Sequence, residues 1–217
     1  MEVTRPKLLI VGDSFFSIDA KFPGQHWSEM LPDYEVINYA YPGNSIGIIL
    51  HDLINGLKHS PDAVVIGFTN PGRIEFENTH VTVNRQWITN QHRHLLNQDQ
   101  KLLMTLRQSL TNPVWENFNT FWQIIGVLSV LKNRNIPFVY SLGIYQQLMA
   151  VTELLIQHSD VVNTQLSRFA SNAIELNLAT YPLELQTKFD PLFHVPDPDW
   201  QSRFANEVIT KLKTLDI

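Results

Sequence analysis

Leu8-Leu9-Ile10-Val11-Gly12-Asp13-Ser14 is the stretch on which the reading of this chain turns. Four apolar residues, all compatible with a buried strand, stop at a glycine. A serine is then presented two residues later, before Phe15-Phe16. Open α/β sheets place their chemistry at the carboxyl ends of strands, where the chain turns from strand to helix. A hydroxyl at that point is a candidate nucleophile. The same serine would also serve as an ordinary helix N-cap, so its meaning depends on what the rest of the chain brings to it.

Outward from this strand the pattern alternates. Lys7–Val11 and Glu35–Asn38 read as strands, with Trp27, Met30 and Leu31 at helical spacing between them. Ile46, Ile49, Leu50, Leu53, Ile54 and Leu57 follow an i, i+3, i+4, i+7 rhythm, which predicts an amphipathic helix capped by Asn44 or Ser45. Pro61-Asp62 then opens a third strand, Ala63–Gly67. Strand, helix, strand in this order predicts parallel βαβ units. Further on, helices are expected over Asp99–Leu110, Asn117–Arg134, Met149–His158, Val161–Asn177 and Asp199–Leu215. A strand is expected over Ile136–Leu142. Residues 71–115 are rich in Asn, Gln and His, and read as an insertion or lid, with His80–Val83 as a hairpin strand. The expected architecture is a single domain, 1–217, carrying that lid.

Composition narrows the function classes. The chain has 217 residues, 44% hydrophobic and 17% charged, with a net charge of −5. A chain of this length buries roughly 70% of its unfolded surface, enough for a core without covalent staples. The acidic balance and the lack of a basic stripe argue against nucleic acid as a partner. Without cysteine there are no disulfides and no thiolate metal sites. No apolar run approaches the ~20 residues of a membrane span, and no signal-peptide pattern follows Met1–Lys7. A cytosolic protein is the expectation, with a virion component as the other setting.

Three further stretches would supply a serine with partners. Asn38-Tyr39-Ala40-Tyr41-Pro42-Gly43-Asn44-Ser45 follows the second strand and opens a helix, so the Gly43 N–H is offered to an anion. Pro-Gly is also a plain turn signal. Gly67-Phe68-Thr69-Asn70 follows the third strand, and an Asn70 amide there can donate to a developing oxyanion; Asn70-Pro71-Gly72 is equally turn chemistry. Asp190-Pro191-Leu192-Phe193-His194 precedes the terminal helix, and a histidine oriented by a carboxylate can act as general base. Asp197 and Asp199 are alternative orienters. Asp13, Asn44, Arg73 and Glu75 are candidates to line the cleft. His92 and His94, with His80 nearby, sit in polar sequence and read as surface histidines, so no metal is expected. Trp115, Phe118, Phe121 and Trp122 read as the core face of a helix, with sugar stacking as the other role.

Taken together, the four blocks centred on Ser14, Gly43, Asn70 and His194 resemble the SGNH (GDSL-type) hydrolase superfamily in order and position. Asn38 to Gly43 is similar to the family's second block. Pro61-Asp62-Ala63-Val64-Val65-Ile66-Gly67 before Asn70 is similar to its third. The wording from Ile66 to Phe76 looks like a branch found in tailed phages and their hosts. Two positions depart from the pattern: Pro71 stands where the family has Asp, and Asp190 to His194 is one residue longer than Asp-x-x-His. The resemblance implies a three-layer α/β/α sandwich with a mostly parallel, flavodoxin-like sheet. It implies ester hydrolysis without cofactor, acting on a small-molecule or glycan ester. Ser14 would be the nucleophile, His194 the base and Asp190 its orienter, with Gly43 and Asn70 in the oxyanion hole. The rival reading is a non-catalytic binding or structural module on the same fold.

Overall fold

The computed structural model describes residues 4–18, 23–69, 74–76, 79–83, 112–143, 149, 153–176 and 198–217. Strands β1 (Lys7–Val11), β2 (Glu35–Asn38), β3 (Ala63–Gly67) and β6 (Phe138–Ser141) form one sheet in the order β2-β1-β3-β6. All three pairings are parallel, with Leu9 opposite both Ile37 and Val64, and Val65 opposite Val139. A separate antiparallel hairpin joins β4 (Ile74–Phe76) and β5 (Thr79–Val83). It includes the strand expected over His80–Val83.

The near-continuous apolar wording of β1 and β3 is what a parallel sheet covered on both faces requires. Alternate residues feed two cores. Leu9, Val11, Val64, Ile66, Phe138 and Tyr140 face α1 (Ile46–Gly56) and α2 (Pro113–Asn133). Helices α3 (Glu153–Gln157) and α4 (Ser159–Ser167) add Leu155 and Val162 to that side. Leu8, Ile10, Ala63, Val65 and Val139 face the short 3-10 helix Trp27–Met30 and the terminal helix α5 (Pro198–Lys213), through Trp27, Phe204, Val208 and Leu212. The result is the expected α/β/α sandwich.

Helix α1 is capped by Ser45, whose Oγ accepts the Ile48 N–H at 3.2 Å. Helix α2 starts earlier than the expected Asn117. Asn112 caps it through the Val114 N–H at 2.9 Å, and Pro113 occupies the first turn, where a missing N–H costs nothing. The helix expected over Val161–Asn177 is also corrected. After α4 the chain makes a 3-10 turn, Ala170–Asn172, and Ala173 then bridges Tyr140 in parallel register. The Ile174 N–H donates to the Tyr140 carbonyl at 2.8 Å, and Asn172 Nδ2 to the Phe138 carbonyl at 2.8 Å. Pairing with the open edge of β6 outweighs local helical periodicity there.

The aromatic face of α2 is corrected as well. Phe121 is fully buried, but Trp115 is 54% and Trp122 39% exposed. Four aromatics at positions 115, 118, 121 and 122 span more than one face of a helix, so only part of the set turns inward. The helix expected over Asp99–Leu110 and most of the lid lie outside the described residues. Among those residues, no helix is long and apolar enough to cross a membrane.

Candidate active site

The order β2-β1-β3 makes the gap between β1 and β3 the point where the connections reverse direction. From β1 the chain goes to β2 on one side. It then recrosses by α1 to β3 on the other. Loops leaving the carboxyl ends of β1 and β3 diverge at such a point and leave a crevice. The turn carrying Ser14 is the one that leaves β1.

That turn is tied down atom by atom. The Gly12 carbonyl accepts the Tyr41 N–H at 3.3 Å and Asn44 Nδ2 at 3.0 Å. These bonds hold the loop after β2 against the turn after β1. Asp13 is buried, and its Oδ1 accepts the Phe15 N–H at 3.1 Å while its carbonyl accepts the Phe16 N–H at 3.0 Å. Asp13 therefore makes the local cap that the sequence offered to Ser14. Its Oδ2 accepts the Thr69 hydroxyl at 2.7 Å, joining the end of β1 to the segment after β3. The Phe15 carbonyl receives His26 Nε2 at 3.1 Å and Trp27 Nε1 at 3.3 Å, and the Phe16 carbonyl receives Asn38 Nδ2 at 2.9 Å.

The Ser14 hydroxyl is not among these bonded groups. Ser14 Oγ is buried and makes no hydrogen bond among the described residues. A buried hydroxyl left unpaired costs stability. Such atoms are rare in native structures and each calls for an explanation, a catalytic role being one.

His26 shows how rigid this surround is. Its Nδ1 accepts the Ser28 N–H at 3.2 Å and lies 2.7 Å from Ser28 Oγ, so Nε2 carries the proton donated to Phe15. That is the neutral ring. Burial lowers its pKa from 6.5 to about 4, against smaller opposing effects of the Phe15 carbonyl and Glu29.

Below the turn, Phe16 wedges between two glycines. A Cβ on Gly67 would lie 2.2 Å from the Phe16 ring, and a Cβ on Gly12 would lie 2.8 Å from Phe16 Cβ. The ring is fixed on its other sides by edge contacts with Trp27 at 5.4 Å and Phe204 at 5.7 Å. The glycines that end β1 and β3 thus give room for the side chain that anchors the serine turn.

Gly43 has φ of +88°, a conformation that side-chain-bearing residues rarely adopt. Asn44 follows it and reaches Gly12, as well as Asp52 Oδ2 at 3.2 Å. Ser14, Gly43, Asp13 and Asn44 are therefore gathered at one rim. Glu75 lies in β4, and Asp199 in the first turn of α5. Asn70, Arg73, Asp190, His194 and Asp197 lie outside the described residues. Thr69, bonded to Asp13, brings the chain beside the serine turn one residue before Asn70.

Sequence reasoning gave no site role to His26 or Trp27, and none of their own to Asn38 and Thr69, although both stand in the quoted stretches. Polar residues within otherwise apolar wording are the signal that could have raised Asn38 and Thr69. Nothing local points from His26 to Phe15.

Solved structures similar in fold include a lipolytic protein of the G-D-S-L family from Desulfitobacterium hafniense, 12% identical, with a TM-score of 0.52 over 95% of this chain and 99% of that one. The fold is that of the SGNH hydrolases. A catalytic serine-to-alanine mutant of an acetylxylan esterase from Geobacillus stearothermophilus matches this SGNH fold at 13% identity. Its TM-score is 0.51, over 98% of this chain and 96% of that one. A psychrotrophic esterase from Pseudoalteromonas matches at 14% identity, with a TM-score of 0.51 over 96% and 97% of the two chains. No protein-family model matches the chain, and no curated protein matches it.

Proposed function

We propose that this protein is a serine ester hydrolase of SGNH type that removes an acyl or acetyl group from a carbohydrate. The observation that carries the reading is Ser14 Oγ. It is buried at the carboxyl end of β1 and unpaired among the described residues, in a turn where the Asp13 carboxylate and the Phe15 and Phe16 carbonyls are hydrogen-bonded. The similarity in fold to esterases, acetylxylan esterases among them, supports the reaction class and the substrate.

In the proposed mechanism, Ser14 Oγ attacks the acyl carbonyl while His194 takes the hydroxyl proton, with Asp190 orienting the imidazole. The oxyanion is held by the Ser14 and Gly43 N–H groups and the Asn70 amide. The alcohol leaves with the proton from His194. Water, deprotonated by His194, then attacks the acyl-serine; the acyl–Oγ bond breaks, His194 returns the proton to Ser14 Oγ, and the acid is released. No metal or cofactor is required. Asp13 and Asn44 hold the turns that carry Ser14 and Gly43. Arg73, Glu75 and the lid at about 71–115 would border the substrate. The chain is proposed to act as one domain, 1–217.

Labelling with a fluorophosphonate probe tests this on wild type, Ser14→Ala and His194→Ala. The reading expects labelling of wild type alone. Absence of label on folded wild type would sink it and favour a binding module, for which Pro71 and the longer Asp190–His194 spacing already speak. Label retained by Ser14→Ala would show a different nucleophile.

A further inference from the structure

Helices α1 and α2 pack side by side on the sheet, yet their outer faces do not close on one another. Between their carboxyl-terminal halves lies an open groove of about 770 Å³. Its walls are aliphatic: Leu53 and Ile54 from α1, Leu57 directly after it, and Val127 and Val130 from α2. Ile54 is 64% exposed and Val130 50%. Among the described residues, no aromatic ring and no carboxylate lines it. Among the described residues, the charged lining groups are Lys58 and Arg134, which follow the carboxyl ends of α1 and α2 and so stand at the same end of the groove.

Cations at helix carboxyl ends are routine, so the pair alone would mean little. Gly126 supplies an independent observation. It sits inside the 21-residue helix α2, where glycine costs about 1 kcal/mol relative to alanine. A Cβ built on it meets nothing within 4 Å among the described residues. Among the described residues, no packing requires a glycine there. Its effect is to deepen the groove.

We propose that this groove is a binding site for a single-chain amphiphile with an anionic head, a fatty-acid carboxylate. The alkyl chain would lie along the aliphatic walls over Gly126, and the carboxylate would meet Lys58 and Arg134. Branched aliphatic walls without rings suit a flexible chain more than a flat ligand. The volume is in the range of small-molecule sites. The cationic end has the charge opposite to the head group, on a protein whose net charge is −5. The groove uses the carboxyl-terminal half of α1, whereas Ser14 and Gly43 lie beside its amino-terminal end. The inference is independent of the esterase reading.

The test is calorimetric titration of the full chain with monomeric sodium dodecanoate. Binding is expected to weaken about fourfold for each methylene removed. Combined Lys58→Glu and Arg134→Glu should weaken it about tenfold, and Gly126→Leu, which fills the groove, should abolish it. Gly126→Leu is expected to stay folded, as read by circular dichroism, because its side chain enters open space. Ser14→Ala should bind like wild type, which separates this site from the proposed active site. No binding by wild type would overturn the inference, as would undiminished binding by Gly126→Leu. Self-association of the apo protein that Gly126→Leu abolishes would also overturn it, showing that a second copy occupies the groove.

Discussion

Replacing Gly67 by alanine puts the anchoring of the serine turn to a quantitative test. Gly67 ends β3, and the added Cβ would stand 2.2 Å from two carbons of the Phe16 ring and 2.6 Å from a third. Carbon atoms pack best at about 3.5–4.0 Å, so the ring must retreat by more than 1 Å. It has no room, because Trp27 and Phe204 press edge-on against it and Gly12 closes the space beneath. Overpacking of this kind costs typically about 1–3 kcal/mol, and the severity of the contact places Gly67→Ala at about 3 kcal/mol. Phe16→Ala alone should cost about 3–5 kcal/mol through the cavity it leaves. With the ring gone, the new methyl enters that cavity. Gly67→Ala should then cost about 0 kcal/mol, a coupling of about 3 kcal/mol between the two sites. Urea unfolding of the four proteins in the cycle measures it. If Gly67→Ala cost the same with and without the ring, the wedge would not be what fixes the turn, and the reasoning would fail.

Two further outcomes follow from the same surround. His26 is neutral in the fold down to a pKa of about 4 but protonates near 6.5 when unfolded. Its contribution is therefore fully present above pH 6.5 and is lost as pH falls towards 4, to a total of about 3 kcal/mol. In His26→Gln the fall in stability between pH 7 and pH 4.5 should be smaller by about 2 kcal/mol of this total, as read by urea midpoints at the two pH values; parallel curves would refute it. Thr69→Val removes the donor to buried Asp13 Oδ2. It should cost about 1–3 kcal/mol and slow fluorophosphonate labelling of Ser14, whereas unchanged labelling would show that the bridge between the two strand ends does not position the nucleophile.

The sequence alone determined the parallel α/β architecture, because its signals are local and repeated. Apolar runs such as Leu8–Val11 and Ala63–Gly67 leave no polar face for solvent. The rhythm from Ile46 to Leu57 cannot be satisfied by a strand. Ser14, Asp13, Gly43 and Asn44 were legible as site candidates because they follow strand ends, where a parallel sheet must expose its turns. Tertiary structure decided what those residues do. Asp13 rather than Ser14 caps the turn because Thr69, remote in sequence, meets its second oxygen. Trp115 and Trp122 turn outward because one helix has only one face towards the sheet. Residues 173–174 leave the helical pattern because an unpaired strand edge waits at Tyr140. Periodicity records which side of an element is buried. Which distant polar atom completes a hydrogen bond depends on contacts across the sheet, and no local pattern carries that information.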